Sequence, residues 1–215
     1  MNAVDCRTAL EESRLALDAH YRVSDVAYGG RYNEIGIEAR KRVSQTIWLM
    51  DEIGKLLSAW ENIDAINSEI ASLIATDNIT PEEIQNHVKS RLMDENLTEL
   101  EKSIEPLETL VESFYWICGR ARSVIRLLPE LKNFESQGVR NTRNKLLEHP
   151  EGNDSNVIMT SFGWGGEQGP VIKALRLSHQ TEIWPDQGLF VNSLEFATNL
   201  SALAAEAVER IKIQV

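Results

Sequence analysis

Residues 43–73 read VSQTIWLMDEIGKLLSAWENIDAINSEIASL. Within them Val43, Ile47, Met50, Ile53, Leu57, Trp60, Ile63, Ile66, Ile70 and Leu73 recur at steps of three or four, the spacing of a single apolar stripe on an α-helix. A helix of about 40 residues rises roughly 60 Å. Gly54 marks a place for it to kink, and Thr76-Asp77-Asn78 ends it. Residues 97–128, LTELEKSIEPLETLVESFYWICGRARSVIRLL, carry a second stripe through Leu97, Leu100, Ile104, Leu107, Val111, Phe114, Ile117, Ala121, Val124 and Leu128. Pro106 predicts a kink or restart within it, and Pro129 a stop or a fresh start. Between the stripes, Thr80-Pro81-Glu82-Glu83 has the form of a helix start, with threonine as cap, proline in the first turn and Glu83 reaching back. That short helix runs to about Met93. Each long stripe must bury its face, and the nearest long partner is the other, so an antiparallel pair is expected.

The flanks extend this pattern. Leu10, Leu15, Ala16 and Leu17 among charged residues predict a helix over 4–21, broken by Tyr28-Gly29-Gly30-Arg31. A further helix is expected over 129–148. After His149-Pro150 a loop at 151–156 precedes three short strand patterns at 157–162, 171–175 and 181–184. The last segment, 190–213, is again helical, with Leu194, Ala197, Leu200, Ala204, Val208 and Ile211 on one side. The expected fold is mainly α: a single helical domain over 1–215, built as a bundle on two long antiparallel helices. A small β-hairpin insertion (about 155–185) precedes the last helix. The short helices cannot cover both long stripes, so a homodimer through helices is expected.

Composition narrows the class. The longest uncharged run, Ser155 to Gly166, is far below the roughly 20 apolar residues of a membrane span, so no membrane association is expected. Asp5, Arg7, Glu11 and Glu12 stand where an export signal needs apolar residues. Cys6 and Cys118 are too few for a disulfide framework or a zinc site. A reduced, cytoplasmic protein is expected. A net charge of −11 argues against a general nucleic-acid coat. Residues 119–145 nevertheless hold seven basic side chains and two acidic ones. Either that segment is a confined anion site or its arginines pair with acidic neighbours.

Several familiar sites are ruled out. The glycine cluster at 163–169 lacks the Gly-Lys-Ser/Thr of a phosphate loop and leads into a strand, so it reads as a hairpin loop. His20, His87, His149 and His179 show no i, i+4 pair, and no metal is expected. There is no Gly-x-Ser-x-Gly turn for a nucleophile. No cofactor fingerprint is present, and none is expected. Trp48, Trp60 and Trp116 lie within the helical stripes and read as core or helix-contact residues rather than stacking platforms.

The segment that carries chemistry is Gly138-Val-Arg-Asn-Thr-Arg-Asn-Lys-Leu-Leu-Glu-His149-Pro150. Arg143 is a permanent cation, Asn144 an amide with donors and an acceptor, and His149 a proton carrier that titrates near neutrality. Together they are parts that a metal-free ribonuclease could use. The histidine would move protons at a 2′-hydroxyl or leaving oxygen, and the arginine would hold charge on the phosphate. Six residues advance an ideal helix by about 600°, so Arg143 and His149 stand about 120° apart. Convergence needs either an unwound last turn before Pro150 or a partner subunit.

Arg143-Asn144-(four residues)-His149 resembles the signature of HEPN domains, small helical bundles of prokaryotic toxins and defence systems. The resemblance implies a metal-independent endoribonuclease site assembled across a homodimer. Arg143 would contact phosphate, Asn144 would be the accompanying polar residue, and His149 the general acid/base. It also admits members that have lost catalysis and serve as binding or structural partners. An Arg and a His four to six residues apart are expected about 0.8 times by chance in this composition, and Arg14 with His20 is such a match. Requiring Asn after Arg lowers the expectation to about 0.05, which only the 143–149 match satisfies.

Arg140, Lys145, Arg122 and Arg126 extend the candidate phosphate-binding surface, Arg122 and Arg126 lying one turn apart on one face. The alternative is solvated or paired charges. The histidine itself would suit the C-terminal end of a helix dipole without any catalysis. Two functions therefore follow: an RNA-cleaving or RNA-binding toxin or defence component, or a non-enzymatic helical interaction module. Expected partners are a second copy of the chain, an RNA substrate, and an antitoxin or other protein.

Overall fold

The computed structural model describes residues 2–75, 80, 82–83, 86, 94–147, 158–164, 166–176, 181–185 and 187–214. In chain order the elements are α1 (Ala3–Ala27), α2 (Asn33–Ala75), α3 (Asp94–Ile125), a 3-10 turn (Pro129–Leu131) and α4 (Gln137–Leu147). They continue with β1 (Ile158–Trp164), a second 3-10 turn (Gly166–Gln168), β2 (Pro170–Arg176), β3 (Thr181–Pro185) and α5 (Leu189–Gln214). The chain is mainly helical, and no helix among the described residues is long and apolar enough to cross a membrane. It divides into two compact units, one of Met1–Asp51 with Val111–Val215, the other of Glu52–Leu110.

In the first unit, α1 starts at a capping box. Asn2 accepts from the Asp5 amide at 2.9 Å, and the Asp5 carboxylate accepts from the Asn2 amide at 3.1 Å. Its buried face is Cys6, Leu10, Ser13, Leu17, His20 and Ser24. The spacing is helical, but half of these residues are polar. Ser13 is buried because its hydroxyl donates to the Leu10 carbonyl at 2.7 Å and so carries no unmet bond inward. Leu15, which hydropathy placed with the apolar residues, is exposed.

The long helices seen to pack together in this unit are α1 and α5. They run in the same direction. Near their starts the Cys6 thiol donates to the Phe190 carbonyl at 3.5 Å, and near their ends His20 and Arg210 both reach Glu130. Helix α2 runs against α1, tied by Arg7 to Asp51 at 3.0 Å and by Arg40 to Asp18. Most of the stripe read from the sequence is buried where its side chains are described: Val43, Ile47, Met50, Ile53 and Leu57 on α2, and Leu107, Val111, Phe114, Ala121 and Leu128 on and just after α3, while Ile117 and Val124 are half-buried. The mutual packing expected of these two stripes runs over residues 43–73 and 97–128, and many of the side chains it needs lie outside the described residues. Pro106 sits inside α3 without ending it. In the second unit the Thr80 cap is present, Glu83 accepting from the Thr80 amide at 2.8 Å and Thr80 from the Glu83 amide at 3.3 Å.

One helix expected over 129–148 is instead two elements. Leu128 is extended and Pro129 opens a 3-10 turn. Helix α4 begins only at Gln137, where the Glu195 carboxylate from α5 accepts from the amides of Gln137 at 2.6 Å and Gly138 at 2.8 Å. These amides have no partner within their own helix, and a carboxylate there also suits the helix dipole.

The β insertion has three strands in the antiparallel order β1-β2-β3, one more than a hairpin. Pairing runs from Ile158 with Arg176 to Trp164 with Pro170, so the glycine-rich segment is the loop between β1 and β2. Gly169, at φ +72°, meets the Phe190 ring at the start of α5. A side chain there would be strained and would displace that ring, so this glycine seats the sheet on the last helix.

Candidate functional site

Helix α4 is placed by polar contacts with α3 and α5. Val139 and Thr142 are buried beneath it. The Asn192 amide donates to the Tyr115 hydroxyl at 2.9 Å and reaches the Thr142 hydroxyl at 3.5 Å. Gly138 leaves room for this arrangement: a Cβ there would collide with Asn192 and stand 2.7 Å from Glu195 Oε2. With Thr142 turned inward, its neighbour Arg143 lies along α3.

Arg143 occupies a notch made by Gly119. A Cβ on Gly119 would collide with Arg143 Cδ and stand 2.8 Å from its Nε. The Nε is buried without a hydrogen-bond acceptor among the described residues. The guanidinium carbon lies 5.2 Å from the centroid of the Trp116 ring, within the range of a cation–π contact. Trp116 is 39% exposed. It is therefore a helix-contact residue that also reaches solvent, and Trp48 is more exposed still. The Trp60 side chain lies outside the description.

Arg122, Arg126 and Arg140 surround Glu135. Arg122 donates to Glu135 Oε2 from Nε at 3.0 Å and Nη2 at 2.5 Å, and Arg126 donates to Oε1 at 2.6 Å. The hydrogen bonds from Arg122, with the charges of Arg122, Arg126 and Arg140, hold the Glu135 carboxyl below its usual range. The paired-charge alternative thus describes Arg122 and Arg126. Arg140 and Asn144 are exposed. His149 and the Lys145 side chain lie outside the described residues, so the convergence of Arg143 with His149 is not visible. Among the described residues the site presents guanidinium groups but no histidine.

Comparison with protein-family models, curated proteins and solved structures returned no match.

The competing Arg14–His20 spacing has a structural explanation. Arg14 is paired with Glu11 at 2.8 Å and Asp18 at 2.9 Å. His20 is fully buried, its Nε2 3.3 Å from Glu130 Oε2, and burial pushes its pKa below the ordinary value despite the carboxylate. Among the described residues no group of three or more His, Cys, Asp or Glu side chains is arranged to hold a metal ion. The sequence reading missed Gly119, Glu135 and Glu195. Gly119 alone left a signal, a glycine inside a helical stripe where it costs stability unless something packs on it.

Proposed function

We propose that the chain is a HEPN-like RNA-binding protein and metal-independent endoribonuclease. Arg143 holds the scissile phosphate, Asn144 is the accompanying polar group, and His149 moves the proton between the 2′-hydroxyl and the leaving oxygen. The observation that carries this reading is the seat of Arg143. Its stem packs in the Gly119 notch, and Arg143, half-buried, sets its guanidinium beside Trp116. A guanidinium already oriented loses less freedom when it takes a phosphate. Arg140, three residues earlier on α4, shares its side of the helix and extends the positive surface. The 120° between Arg143 and His149 on a regular helix favours a site completed by a second protomer.

The test is cleavage of labelled single-stranded RNA in the presence of a chelator, with the sedimentation mass measured in parallel. Cutting by the wild type, lost in Arg143→Ala and His149→Ala while helicity is retained, supports the reading. Undiminished cutting by both variants removes the site.

A second reading is favoured by Glu135, which already neutralises part of the basic strip in a chain of net charge −11. There the same surface receives a protein partner, such as an antitoxin, without turnover. Absence of cleavage together with a stable stoichiometric protein complex distinguishes it.

A further inference from the structure

Resting on the reading above, we infer that Trp116 and the Arg143 guanidinium form a nucleobase-stacking subsite, so that the protein grips an unpaired nucleotide by its base as well as by its phosphate. Four observations meet here. Trp116 is 39% exposed on a helix whose Phe114, Tyr115 and Cys118 are fully buried. Arg143 lies over that indole. Gly119 fixes the arginine stem, so the pair forms one preset surface of ring and guanidinium. Arg120, one turn beyond Trp116 on α3, is exposed and adds positive charge on the same side.

Unpaired bases stack on aromatic rings and on guanidinium planes, whereas a duplex hides its base faces. The same guanidinium keeps N–H groups at its edge for phosphate oxygens. Stacking tolerates any base, because every base has a π-face, so the subsite selects unpaired over paired nucleotides rather than one sequence.

The experiment compares three probes: a short single-stranded oligoribonucleotide, the same strand with its bases removed at successive single positions, and inorganic tripolyphosphate. Binding is measured for wild type, Trp116→Ala, Trp116→Phe and Arg143→Ala, with thermal melts to confirm folding. Trp116→Ala should weaken the intact strand roughly tenfold and leave tripolyphosphate unchanged. Trp116→Phe should retain most affinity, and Arg143→Ala should weaken both ligands. At one position, removing the base should cost the wild type affinity but cost Trp116→Ala nothing. Equal weakening of both ligands by Trp116→Ala would reduce the tryptophan to a support for Arg143 and overturn the inference. RNA binding that depends on Arg143 but is indifferent to Trp116 would overturn it while sparing the proposed function. No RNA binding by the wild type would overturn both.

Discussion

Arg143 lies where a side chain on Gly119 would be. The helical glycine and the arginine occupy one volume between them, since a Cβ at 119 would collide with Cδ of the arginine and stand 2.8 Å from its Nε. The relationship separates fold from site, because the obstacle would meet the outer part of a flexible side chain rather than backbone.

Gly119→Ala should therefore displace Arg143 without unfolding the protein. Replacing a helical glycine by alanine stabilises by about 1 kcal/mol, which offsets the lost packing of the arginine stem. Thermal melts should place the variant within about 1 kcal/mol of wild type. RNA affinity should fall toward that of Arg143→Ala. Wild-type affinity in Gly119→Ala would show that the seat does not matter.

Glu195→Ala should destabilise the first unit by about 0.5–2 kcal/mol, the usual range for a lost helix cap. Two amides at the start of α4, on Gln137 and Gly138, lose their shared acceptor. Urea denaturation measures the loss. Glu195→Gln keeps one acceptor oxygen and should fall between the two. A midpoint unchanged in Glu195→Ala would mean that water replaces the carboxylate at no cost.

His20 should make stability depend on pH between neutrality and mild acid. Burial lowers its folded-state pKa below the ordinary 6.5. Below about pH 6.5 the unfolded chain takes up a proton that the folded chain refuses. The histidine therefore costs nothing above that pH. Its penalty grows as the pH falls and levels off beneath the folded-state value. The melting temperature of wild type should decline on acidification from pH 6.5, and that of His20→Gln should decline less. Identical slopes would exclude His20 as the cause.

Glu135→Gln should strengthen RNA binding and steepen its dependence on salt. The carboxylate occupies donors of Arg122 and Arg126 that a phosphate would use. Each arginine freed to meet a single strand adds roughly 0.7 to the slope of log affinity against log salt. Titrations at several ionic strengths read this directly. A slope unmoved by the substitution would place both arginines outside the binding surface.

Much of the fold was legible along the chain. The terminal helix was expected at 190–213 and spans Leu189–Gln214, with Ala197, Leu200, Ala204, Val208 and Ile211 all buried. The Thr80–Glu83 cap formed as its residue types require. Strand patterns at 157–162, 171–175 and 181–184 correspond to β1, β2 and β3. The buried face of α1 was legible in Leu10 and Leu17 but not in Ser13, His20 and Ser24, which carry no hydropathy signal and are internal only through what surrounds them. At the candidate site, arginine 143 stood out from its neighbours in sequence, but nothing local announced that a glycine on another helix would hold it.

Periodicity, caps and turns act over a few residues, and so the chain alone marked most of the described helical segments and showed that residues 119–145 concentrate positive charge. Where α4 begins, which charges are spent on Glu135, and where Arg143 rests depend on groups far apart in the chain. Glu195 meets the Gln137 amide from 58 residues away. Such contacts exist only once the helices have packed, because packing determines which polar groups must find partners away from water and which side chains share a volume.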